Sequence, residues 1–592
     1  MGSPSRTIWI FACVVSFALQ WTATAAQDTI NHDAQPYPMA MVNNASSGSD
    51  GPWWYISQPI DFPEQYLPML PSVSRTSLTV NASACRSQTA ACQLPIPDMW
   101  TASGAYAYSG GLRTQSDLID GAAWDPDYAA LLSLDGSGRH IQQRMTMYHG
   151  ESTANPAYLD YHTMSVSEDY SVRYSPDTGY TMNVGFFSLY GAEDTLEYEA
   201  ANGTTVRSNL TLPQAYQKGL APSMSYGLHI GSVEPNITSS LVLGGYDMSR
   251  CLSDPIVSSS DTVELRGITM NVTTGGYAYF NTVSAYVPSR LSANGSSVSS
   301  LEVHLRPGVP HLYLPQDTCD AIAYHLPVTY NSELGLYLWD TDDSTYEEIV
   351  SSPHHLDFTF ASDDGQEKTI GVPFALLNLT LTSPIVSTAT QYFPCKGWTP
   401  DTTGYTLGNA FLQSAFLAQN WQTNKLFLAQ APGPDFLSAS VQKIGHMDTT
   451  LTPAKNPPSW ESSWASTLKA LPAREGRTSS SNQSYPEDGS SAALSGGAIA
   501  GIVVGAIVGL AIVAAAIWFL LRKRKQRRWD ESAAQAVKSP MLQYSPFEEG
   551  VPYLSKSPME LQEVEARQVQ VFEMGAESKI PELPVKDRPH EK

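Results

Sequence analysis

The chain has 592 residues, with 34 Lys and Arg against 57 Asp and Glu, a net charge of -23 and a pI near 4.8. Such a surface repels phosphate backbones, and the only basic run is short, so nucleic acid is excluded as a partner. A hydrophobic fraction of 42% and an aromatic fraction of 10% are enough for a sizeable core, which excludes a wholly disordered chain.

The elements follow in chain order. Residues 1–25 form a signal peptide: Arg6 opens it, Ile8 to Leu19 is mostly apolar, and Ala23-Thr24-Ala25 is a small-residue cleavage pattern. From about Gly51 to Phe436 short alternating runs are separated by Gly, Asn, Asp and Ser. Thr181 to Leu189, Ser240 to Leu243, Tyr277 to Val287 and Lys425 to Ala429 are predicted strands. Helices are few, with Thr318 to His325 and Phe411 to Ala415 as candidates. The expected fold class is all-β, and some 400 residues are too many for one simple core, so two lobes are expected, 51–250 and 251–436.

Residues 437–495 are rich in Ser, Thr and Pro and read as an extended stalk. Ala498 to Leu521 carries no charge and is long enough to span a bilayer. Arg522, Lys523, Arg524, Lys525, Arg527 and Arg528 follow, so the positive-inside rule places residues 522–592 in the cytoplasm as a polar, disordered tail. That basic run reads first as a stop-transfer signal and second as a contact for anionic lipid. Gly497, Gly501, Gly505 and Gly509 share one helix face, which suits a homodimer through close backbone approach, although Gly is also common in lone membrane helices.

Asn44, Asn81, Asn202, Asn209, Asn236, Asn271, Asn294, Asn378 and Asn482 each begin an N-x-S/T sequon. All precede the span. The expected product is a single-pass type I membrane glycoprotein with an extracellular or lumenal ectodomain, at the plasma membrane.

Cys13 leaves with the signal peptide. Cys85 and Cys92 are close enough for a small disulfide loop, and Cys319 and Cys395 can close a longer one, worth roughly 4 kcal/mol by chain entropy. Spacing fixes neither pairing. Cys251 is left as a buried free thiol or an intermolecular bridge.

Three segments resemble the pepsin-like aspartic proteases, particularly fungal members and their membrane-anchored relatives. Ser225 to Arg250 contains "SLVLGGYD", similar to the segment that ends the family's N-terminal lobe. Tyr405 to Ala431 has Leu407-Gly408 and Phe411-Leu412, similar to its C-terminal hydrophobic-hydrophobic-Gly run. Leu312 to Asp340 resembles the strand, helix and cysteine after the second catalytic turn. The resemblance implies a bilobed acid-protease fold over about 385 residues.

That chemistry needs two carboxylates sharing one proton, each in an Asp-Thr/Ser-Gly turn. In "LPSVSRTSLTV" Ser72 falls on the first aspartate, with Val73 and Ser74 on Thr and Gly. In "LRPGVPHLYLP" Arg306 falls on the second, Pro307 follows, and Gly308 is retained. A hydroxyl and a guanidinium cannot share a proton in this way. Ser188 stands where a Gly is expected. Tyr148, in Met147-Tyr148-His149-Gly150, is the candidate flap tyrosine, with an ordinary hairpin aromatic as the alternative. The literal Asp177-Thr178-Gly179 follows Ser175-Pro176 and reads as a hairpin turn, and His354-His355 read as loop residues. No metal-ligand or phosphate-loop pattern occurs, and no cofactor is expected.

These residues predict a catalytically inactive pepsin-like ectodomain, a pseudoenzyme binding a peptide or glycan between its lobes, with Arg306 favouring an acidic ligand. The first alternative is an active membrane-anchored aspartic endopeptidase. The second is a surface glycoprotein for adhesion or wall-stress sensing.

Overall fold

The computed structural model describes residues 33–60, 65–80, 119–120, 124–167, 169–199, 205–400 and 403–473. The signal peptide, Cys85, Cys92, Asn81, Asn202, Asn482, the span and the tail lie outside them. Among the described residues strands dominate and every helix is short. No helix there is long and apolar enough to cross a membrane.

One strand arrangement occurs twice. In the first half, Gln65–Ser72 runs parallel to Gly185–Ser188, with Ser72 opposite Ser188. Gly185–Ser188 pairs antiparallel with Ser77–Val80, and Ser77–Val80 runs parallel to Ser152–Ser167. In the second half, Leu301–Leu305 runs parallel to Tyr405–Leu407, with Leu305 opposite Leu407. Tyr405–Leu407 pairs antiparallel with Leu312–Leu314, which runs parallel to Cys395–Gly397. Parallel strands of this kind are commonly buried on both faces, and Gly185–Ser188 and Leu312–Leu314 are buried along their whole length. Phe187, Leu78, Val303 and Leu407 are all fully buried.

The halves are joined by a six-stranded antiparallel sheet. Tyr37–Met39, Ser240–Leu243 and Ser225–His229 come from the first half; Ala415–Asn420, Lys425–Gln430 and Ile256–Ser258 come from the second. The seam pairs Ser225 with Asn420 and Leu228 with Leu417. Trp421 Nε1 reinforces it by donating to the Leu189 carbonyl at 2.9 Å. The hairpin Ala415–Gln430 turns through Asn424 at φ 50°, a left-handed position that Asn tolerates.

The "SLVLGGYDMSR" stretch shows why its residue types suit this place. Gly244 has φ 64°, and an added Cβ would lie 2.3 Å from Pro222. Asp247 then caps the short turn Met248–Arg250, accepting from Ser249 N–H at 3.1 Å and facing Arg250 Nε at 3.3 Å. The Cys319–Cys395 disulfide forms and ties the helix Gln316–Ala323 to strand Cys395–Gly397. Cys251 is a buried free thiol, pushed up to about 12 by desolvation.

Several expectations change. The packed chain starts before residue 51, because Tyr37–Met39 pairs with Ser240–Leu243. The stalk does not begin at 437: Val441–Lys443 pairs with Gly245–Asp247, Ile444 is fully buried, and Trp464 is 2% exposed. Scattered large apolar residues, not local composition, bring this segment back onto the body. Tyr277 to Val287 is not a strand. Its backbone is diverted into contacts elsewhere, with Ala278 N–H donating to His354 Nε2 and Phe280 N–H to the His325 carbonyl. His354 and His355 open the strand His354–Ala361 and are buried, so they are not loop residues.

Candidate interlobe site

The turns at Ser72 and Arg306 sit at corresponding points of the duplicated arrangement. Ser72 ends its strand opposite Ser188, and Arg306 directly follows the Leu305–Leu407 pair. Around the first turn the polar side chains are hydroxyls. Ser72 Oγ shares a hydrogen bond with Ser74 Oγ at 2.7 Å, and Ser74 Oγ donates to the Thr76 carbonyl at 3.0 Å. Ser188 Oγ donates to the Ser74 carbonyl at 2.6 Å. Ser72, Ser74 and Ser188 are all buried, so this network is closed to solvent.

The second turn presses on the first. Gly308 has φ 93°, and a Cβ there would lie 2.9 Å from the Phe186 ring and 3.0 Å from the Pro71 carbonyl. A retained glycine is therefore required for approach as well as for conformation.

The contact between the turns is made by residues that the resemblance did not single out. Asp125 caps the helix Pro126–Leu131, accepting from Asp127 and Tyr128 N–H at 3.1 Å, with Pro126 at the first helical position. Asp125 also accepts from Arg75 N–H at 3.0 Å, fixing the helix to the first turn. Tyr128 then lies between the turns, fully buried. Val73 N–H donates to its Oη at 2.9 Å, and the Oη donates to the Pro307 carbonyl at 2.8 Å. Burial pushes the Tyr128 phenol up, and the Arg306 charge opposes this in part. One residue earlier, Asp127 Oδ2 accepts from Arg306 at 2.5 Å. The Arg306 Nε is buried without a partner.

Two acids thus do approach the turns, but from this helix, and both are engaged: Asp125 by backbone N–H groups and Asp127 by a guanidinium. The sequence signal for the helix was the Asp125-Pro126 start; nothing in the sequence signalled where Tyr128 would point.

Tyr148, the flap candidate, stands next to a hairpin tip. It belongs to the hairpin Gly138–His149 and Ser152–Ser167, whose tip docks on the first described strand: Gly150 N–H donates to the Pro38 carbonyl at 2.8 Å, and His149 contacts the Tyr37 ring. A tyrosine that bonds to both turns is Tyr128. Asp177 is exposed in the hairpin between Ser171–Arg173 and Gly179–Thr181, where Tyr174 and Ser175 N–H donate to the Thr178 carbonyl.

A second buried polar nest borders the second turn. Asp50 accepts from Trp53 Nε1 at 3.2 Å, Tyr174 Oη at 3.2 Å and Tyr180 Oη at 3.1 Å. Burial pushes its carboxyl up, against the lowering effect of these donors. Tyr392 Oη donates to the Asp50 carbonyl at 2.6 Å, linking the two halves. Burial lowers Lys396, whose ammonium sits 5.1 Å from the Tyr174 ring, to about 8. His311, 1% exposed, has no partner at either ring nitrogen; burial, and then Lys396, hold it well below the usual imidazole range. A cavity of about 20 Å³, room for one water, touches Asp50, Tyr180, Phe186 and Gly308. Among the described residues no cluster of His, Cys, Asp and Glu is arranged to hold a metal ion.

No family model matches the chain, and no curated protein matches it. Among solved structures, an aspartic proteinase from Irpex lacteus is similar with a TM-score of 0.41 and 12% identity, covering 67% of this chain and 97% of that chain.

Proposed function

We propose that this chain is a membrane-anchored glycoprotein whose ectodomain is a pepsin-like body without proteolytic chemistry, acting in binding or sensing. The observation that carries the reading is the filled centre: Tyr128 bridges Val73 and Pro307, and Asp127 neutralises Arg306, where a shared proton and an attack water would be needed. Support for the pepsin-like assignment comes from the duplicated strand arrangement, with one degenerate turn in each copy. The signal peptide, one-sided sequons and basic-flanked apolar run support anchoring. Because Arg306 already has an acidic partner, ligand choice rests on surfaces around the turns more than on that charge.

The deciding assay incubates the secreted, glycosylated ectodomain with casein or haemoglobin at acidic pH, with and without pepstatin. No pepstatin-sensitive cleavage is expected. Cleavage that pepstatin blocks would restore the competing reading, an active membrane-anchored aspartic endopeptidase.

A further inference from the structure

We propose that the segment 280–287, together with Tyr324, forms a foot that rests on the bilayer to which the chain is anchored. Val283 is 90% exposed, Tyr324 64% and Tyr286 52%. Exposed apolar residues gathered in one place mark a contact surface, and Tyr is favoured at membrane–water interfaces.

The segment is held in shape. Thr282 Oγ1 accepts from Ser284 N–H at 3.1 Å, and Ser284 Oγ accepts from Tyr286 N–H at 3.1 Å. Asn281 Nδ2 donates to the Tyr324 carbonyl at 2.7 Å, joining the segment to the end of the helix Gln316–Ala323. Behind it, Tyr279 is 3% exposed and donates to the Asn271 carbonyl at 2.7 Å. Local bonds therefore present Val283 outward.

The place where the described chain ends selects the occupant. Gly276 N–H donates to the Leu471 carbonyl at 2.9 Å, and an added Cβ on Gly275 would lie 2.6 Å from the same oxygen. Gly276 to Phe280 spans at most about 14 Å of chain. The last described residues thus leave the body beside the root of this segment. From there 24 residues (474–497) precede the apolar run at Ala498. Fully extended, 24 residues reach at most about 80 Å. The edge carrying Val283 is held near the bilayer at an effective concentration on the order of millimolar, enough for a weak apolar contact to count. A net charge of -23 makes a zwitterionic surface the suitable one.

The inference rests on the anchored reading and is tested separately from it. Full chain is reconstituted in phosphatidylcholine nanodiscs with an environment-sensitive fluorophore at Val283→Cys, or at Met447→Cys as a comparison site that is 71% exposed. Nitroxide-labelled lipid is expected to quench the Val283 label several-fold more than the Met447 label. Adding Tyr286→Ser and Tyr324→Ser is expected to remove the difference without lowering the melting temperature. Equal quenching at the two sites, or a difference that survives the two Tyr changes, overturns the foot. Release of the full chain from membranes by alkaline carbonate would instead overturn the anchored reading.

Discussion

Lowering the pH from 7 to 5 is expected to weaken this ectodomain severely, and the reason lies in its histidines. His140 and His162 are each pushed down to about 4 by burial, and His229 to about 3 by burial and then by Arg250. A folded-state pKa below the unfolded value of 6.5 means that the native state holds the neutral ring. That contribution is complete above pH 6.5 and is lost as pH falls towards the folded pKa. At pH 5 each ring costs about 2 kcal/mol, and the three together about 6 kcal/mol. A domain of ordinary stability has roughly 5–15 kcal/mol to lose. His311 acts in the same direction. Asp50 acts oppositely, since its raised pKa makes protonation in acid favourable to the fold, but it is one group against five, because burial lowers His304 as well. Urea denaturation of the ectodomain at several pH values reads the slope, and His162→Gln should reduce the loss between pH 7 and pH 5 by about 2 kcal/mol. Stability that is constant or rises between pH 7 and pH 5 would refute the assignment of neutral buried rings. The result also bears on function, because a shared-proton carboxylate pair operates in acid.

Two further outcomes test the bridge between the turns. Tyr128→Phe keeps the ring but strands the Val73 N–H and the Pro307 carbonyl; a loss of about 1–3 kcal/mol in urea unfolding is expected. Gly308→Ala meets both a left-handed backbone and the Phe186 ring, so a drop of several degrees in melting temperature is expected, larger than for an alanine placed at exposed Gly295.

What the sequence made legible was the framework. Ser240–Leu243 forms with its expected bounds, and Lys425–Gln430 extends the expected strand by one residue, because alternation, Gly244 and Asn424 are local signals. The helix near Cys319 was visible for the same reason, although it starts at Gln316 and ends at Ala323. The filled centre was not legible. Tyr128 meets Pro307 across 179 positions, and no periodicity within six helical residues states which strand ends its phenol will join. Residues 437–473 misled through composition: Ile444 and Trp464 are single apolar residues in polar surroundings, and only the grooves that receive them show their role. Tyr277 to Val287 alternates like a strand, but its backbone groups are claimed by His354 and His325 from distant segments.

The seam between Ser225–His229 and Ala415–Asn420 sets an order of events during synthesis. When residue 250 leaves the ribosome, the first half already holds the strands that pair within it but offers one bare edge, Ser225–His229, every residue of which is buried in the finished fold. That edge stays open until some 170 further residues have emerged, which at ordinary elongation rates is about 10–30 s. Bare edges recruit other chains. A truncation after the first half is therefore a sticky fragment, not a smaller working unit, and recombinant work on this protein should keep both halves in one polypeptide.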